Sequence, residues 1–96
     1  MTTMKEQRIV GILNELSIRV AEYNTTLDDL RDDFNHGRRA SMQIRNAAHK
    51  CISNSAIVKD RFLSIAIEFG LDEDCAMFSI FKKRMAMNDE LAKFFL

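Results

Sequence analysis

The groups in this 96-residue chain that ordinarily do chemistry are His36, His49, Cys51, Cys75 and a scatter of serines, and their spacing points away from a catalytic centre. A zinc site draws on closely spaced cysteine and histidine pairs. Cys51 and Cys75 are far apart, with no CxxC rhythm, and neither histidine reads as having a carboxylate or cysteine at ligand spacing. Ser41, Ser53, Ser55, Ser64 and Ser79 sit in helical or capping contexts rather than in a GxSxG-like elbow. With only Gly11, Gly37 and Gly70, the chain has no glycine-rich loop to cradle a phosphate. The reading is a non-enzyme without cofactor or metal, its thiols reduced and buried.

What the spacing does offer is surface for binding. Between His36 and Lys50 the chain carries Arg38, Arg39, Arg45 and Lys50 with two histidines and no acid. On a helix Arg38, Arg45 and His49 form one stripe, with Arg39 and Lys50 to one side. A solvated face complementing the helix dipole is the most economical account of these residues. A protein partner or a phosphate comes next, and nucleic acid last, because 14 basic and 14 acidic residues cancel to a formal charge of zero. A second group, Met77, Phe78, Phe81, Arg84, Met87, Asn88, Phe94, Phe95 and Leu96, combines flexible thioethers and aromatics with two polar residues in one seam. One small domain has little left to cover them all, so they read as an interface.

Helices must position both groups. Proline is absent, and Ala, Leu, Met, Lys, Glu and Arg are abundant, so the class is all-α. A 47% apolar content over this length supports one core and one domain, residues 1–96. Ile9, Ile12, Leu13, Leu16, Val20 and Tyr23 predict a first helix from about Met4 to Tyr23, ended by the turn signal Asn24-Thr25-Thr26. From Thr26 to Ser53 a second long helix follows, on the seam Leu27, Leu30, Phe34, Gly37, Ser41, Ile44, Ala48 and Cys51. The small residues Gly37, Ser41 and Ala48 in that seam favour close approach of a neighbour, and His36-Gly37 is a place where the helix can bend.

Ser53-Asn54-Ser55 then reads as a turn into a shorter, central helix from Ala56 to Phe69, closed by Gly70 with Leu71 folding back. Asp72 is expected to cap a last helix, continuous or kinked near Asn88. The Ala66-x-x-x-Gly70 spacing resembles the turn of a helix-turn-helix, yet Asp72-Glu73-Asp74 would meet phosphate with negative charge. The expected architecture is an antiparallel bundle of three long helices and one shorter central one.

No run approaches the roughly 18 apolar residues a membrane span needs, and no signal-peptide block opens the chain, so a soluble, cytoplasmic protein is expected. Its function reads as a protein-protein interaction module, an adaptor, inhibitor or regulator that self-associates as a dimer. The alternative is a nucleic-acid-binding regulator that uses the basic face in a dimer.

Overall fold

The computed structural model describes residues 3–96, which form three helices, α1 (Met4–Asn35), α2 (Ser41–Glu68) and α3 (Ala76–Lys93), with no strand among the described residues. They pack as an up-down-up bundle about 53 Å long and 19 by 17 Å across. α1 is the spine, lying against both other helices. Its 32 residues extend about 48 Å, so it runs nearly the full length of the molecule.

Two of the expected turns are absent, and one that was read as a bend is real. Asn24-Thr25-Thr26 lies inside α1: the Thr25 and Thr26 hydroxyls donate back to the carbonyls of Ala21 and Glu22, each at 3.2 Å, and so need no turn to satisfy them. Ser53-Asn54-Ser55 lies inside α2 in the same way, with Ser55 Oγ donating to the Cys51 carbonyl at 2.8 Å. The predicted second and third helices are therefore rearranged into the end of α1, a turn and all of α2. A separate shorter helix is not formed.

The true break is at Gly37, whose φ is +62°. His36 closes α1, the Gly37 amide bonds to the Phe34 carbonyl at 3.3 Å, and the Arg38 amide reaches the Asp33 carbonyl at 3.0 Å. That is a Schellman motif, and the chain uses it twice. After α2, Gly70 (φ +64°) donates to Ile67 at 3.2 Å and Leu71 to Ala66 at 2.8 Å, as the sequence predicted. Gly37 is thus a turn residue rather than a packing determinant; a methyl group added there would meet nothing within 4 Å. The cost of substituting it is conformational. Gly37→Ala should lower stability by about 1–2 kcal/mol, measured by urea denaturation, because an L side chain is strained at that φ.

Asp72 does not cap α3. Its carboxylate accepts the Asp74 amide at 2.9 Å, and the helix begins four residues later, at Ala76, behind the N-cap Cys75, whose Sγ accepts from the Phe78 amide at 3.5 Å. From there α3 is continuous through Asn88.

The core divides in two along the bundle axis. One cluster joins Leu13, Leu16, Val20, Val58, Phe62, Ala66, Phe78 and Phe81; the other joins Leu27, Leu30, Ile44, Ala48, Cys51, Leu91 and Phe95. Between them lies a layer of one buried polar residue per helix, Asn24, Ser55 and Asn88. Asn88 Nδ2 donates to Asn24 Oδ1 at 2.9 Å and to Ser55 Oγ at 3.3 Å, and Lys59 Nζ donates to Asn88 Oδ1 at 3.1 Å. Asn24 Nδ2 completes the layer by donating to the Arg84 carbonyl at 3.0 Å. Among the described residues no buried side-chain polar atom lacks a partner, so the layer avoids the penalty of an orphaned polar group.

Candidate functional site

The basic residues do not form one stripe on one helix. Arg38 and Arg39 lie in the α1–α2 turn, while Arg45, His49 and Lys50 lie on the exposed side of α2. The turn folds the first two back onto acids of α1: Arg38 Nη1 is 3.0 Å from Asp32 Oδ2, and Arg39 Nε is 2.9 Å from Asp33 Oδ2. Arg45 and Lys50 have no carboxylate within 4 Å among the described residues. His49 Nε2 lies 3.0 Å from the Phe95 carbonyl, which fixes the proton on that nitrogen and ties α2 to the residues after α3.

His36 has a partner that the sequence reading overlooked. Asp32, one helical turn earlier, places Oδ1 3.2 Å from His36 Nδ1. The signal was the i, i+4 spacing of Asp32 and His36. Asp32 is shared with Arg38, and among the described residues no group of three or more His, Cys, Asp or Glu is placed to hold a metal ion. Both cysteines are free. Burial pushes the Cys51 thiol above its ordinary range, with the Ser55 hydrogen bond acting the other way, and its Sγ donates to the Tyr23 carbonyl at 3.5 Å.

The α3 residues are brought together, but on two faces. Phe78, Phe81, Met85, Asn88, Ala92 and Phe95 form an inner row at three-and-four spacing that packs into the bundle. Phe81 stacks on Phe62 with ring centroids 3.6 Å apart, and Phe78 meets Phe62 edge-on at 5.9 Å. Phe78, Phe81, Asn88 and Phe95 are therefore committed to the fold.

One residue earlier at each step, Met77, Ile80, Arg84, Met87, Leu91 and Phe94 repeat the same heptad spacing as an outer row, of which Leu91 turns into the second core cluster and Met77 packs against the first. Much of this row faces solvent: Ile80 is 47%, Met87 58% and Phe94 42% exposed. It forms one wall of the groove between α1 and α3. The groove opens into a cleft of about 290 Å³ lined by Val10, Asn14, Met77, Ile80 and Arg84. Further up, Ala21, Thr25, Asp28, Met87, Glu90 and Leu91 line another, of about 480 Å³.

Arg84 projects from this outer row. Its Nη1 donates to Ser17 Oγ at 2.7 Å, and no carboxylate lies within 4 Å of it among the described residues. Two other cations near the groove are paired, Arg31 with Asp28 at 2.6 Å and Lys93 with Glu90 at 2.9 Å.

At the upper end of the bundle Phe34 continues the α1 core row after Leu27 and Leu30, yet it remains 39% exposed. Phe94 meets its ring edge-on at 5.5 Å. Leu96 is open to solvent beside Phe95. Together they leave an aromatic and aliphatic patch at that end.

Among the described residues no helix is long and apolar enough to cross a membrane. Compared with models of protein families, with curated proteins and with solved structures, the chain has no match.

Proposed function

We propose that this chain is a small non-enzymatic interaction module, an adaptor, inhibitor or regulator, that binds other protein through its helical faces. The observation that carries the reading is the doubled heptad of α3. A helix that packs by one row needs only that row apolar, whereas α3 adds an outer row whose Ile80, Met87 and Phe94 stay in water.

Self-association belongs to the same proposal, through the end of the bundle where Phe34, Phe94 and Leu96 are exposed. Sedimentation at micromolar concentration should show a species of twice the 11.1 kDa chain mass. Phe34→Glu should return it to the single-chain mass without loss of helicity. A wild-type chain that sediments only as a monomer would remove self-association from the proposal.

The nucleic-acid reading has weaker support. Arg38 and Arg39 are engaged by Asp32 and Asp33, which leaves Arg45 and Lys50 as the unpaired cations of that group among the described residues.

A further inference from the structure

The groove between α1 and α3 is more specific than an apolar surface, because Arg84, unlike Arg31, has no carboxylate partner in it among the described residues. We propose that it receives one amphipathic helix of a different protein, whose apolar row is interrupted by a carboxylate that meets Arg84. The proposal rests on the interaction-module reading and names the class of partner.

Shape supports a helix as the occupant. The outer row runs from Met77 to Phe94 in heptad steps, a length of about 27 Å or roughly five helical turns. Between Val10 at one end and Asp28 and Arg31 at the other, the α1 wall carries the short side chains of Asn14, Ala21 and Thr25. Short side chains on one wall and longer apolar ones on the other let a third backbone come close, as in helix-in-groove recognition.

Charge selects the kind of helix. Arg84 is half-buried, engages only the neutral Ser17 hydroxyl through its side chain, and stands among Ile80 and Met87. A partner that covered this groove with apolar residues alone would take the guanidinium further out of water without compensation. One offering a carboxylate at that level would complete a charge-assisted pair with it.

A second copy of this chain does not supply that group from the same row. In a parallel pairing of two outer rows, Arg84 meets Arg84. In an antiparallel pairing with interleaved rows it falls opposite Ile80 or Met87. The row contains no carboxylate, so the pairing of two outer rows leaves Arg84 without its complement.

The test uses the whole chain and two synthetic helical peptides of about 20 residues with leucines at heptad seam positions. One peptide carries Glu at the central seam position and the other Lys, and binding is read by fluorescence anisotropy at peptide concentrations where each is monomeric. The Glu peptide should bind at least about tenfold more tightly than the Lys peptide. Arg84→Glu should invert that preference, Arg84→Gln should abolish it, and Ile80→Glu should weaken both peptides, with circular dichroism confirming that each variant is folded.

Equal binding of the two peptides, no binding of either, or binding indifferent to Ile80→Glu would overturn the proposal. So would a wild-type dimer that Ile80→Glu disperses, since the groove would then hold a second copy. A dimer dispersed by Phe34→Glu and not by Ile80→Glu, with no peptide bound, would leave the interaction-module reading standing and remove only this inference.

Discussion

Phe62→Ala should be the most damaging single truncation outside the turns, lowering stability by about 3–5 kcal/mol. Phe62 is fully buried and sits where α2 meets α3, stacked on Phe81 at 3.6 Å and edge-on to Phe78 at 5.9 Å. Its removal deletes one of the three phenylalanines of the cluster that holds Leu13, Val20 and Val58 and leaves the other two rings without their common neighbour, so the site cannot collapse easily. A domain of this size holds only about 5–15 kcal/mol in all, and the melting temperature should fall by at least roughly 12 °C. Ile67→Ala is the control: it removes an aliphatic side chain from the same helix, but one that is 80% exposed, and should change stability by less than about 0.5 kcal/mol. A loss below about 1.5 kcal/mol for Phe62→Ala would mean that α2 and α3 are not joined through this ring stack.

Asn88→Val should cost about 2–4 kcal/mol, although it makes the core more apolar. The amide of Asn88 donates to Asn24 Oδ1 and Ser55 Oγ and accepts from Lys59. Valine leaves those groups facing a side chain that cannot bond them, and Lys59 retains only its 3.2 Å contact with Asp89. Replacing the layer as a unit, Asn24→Val with Ser55→Ala and Asn88→Val, removes the stranded groups as well. The triple variant should therefore recover most of the loss, a non-additivity readable from urea midpoints. If the three losses simply added, the layer would be a set of separate bonds rather than one network.

The same layer explains why the helix boundaries were hard to read. Asn24, Thr25, Thr26 and Ser53, Asn54, Ser55 are residues that favour turns and caps, and locally they signal a break. In the folded chain Asn24 occupies the next core position after Val20 and before Leu27, and Ser55 stands between Cys51 and Val58. The three-and-four spacing passes through both runs without losing phase. That continuity was the available evidence that the helices do not stop.

At Gly37 the opposite happened. The row Phe34, Gly37, Ser41, Ile44 keeps helical phase across a real turn, so the periodicity concealed the break that the glycine itself announced. Its seam was nevertheless correct in membership. Leu27, Leu30, Ile44, Ala48 and Cys51 share one cluster, facing each other from two antiparallel helices rather than lying along one.

What the sequence determined by itself was the helical class, the closure of α2 by Gly70 and Leu71, and most of the core rows, because caps and apolar spacing act over a few residues. The pairing of Arg38 and Arg39 with Asp32 and Asp33, the layer of Asn24, Ser55 and Asn88, and the assignment of Phe78 to the inner row and Arg84 to the outer one were decided only by the tertiary structure. Adjacent heptad rows on one helix look alike in sequence. Which row becomes core and which faces outward depends on where α1 and α2 lie around α3, and on the turn at Gly37 that sets them there.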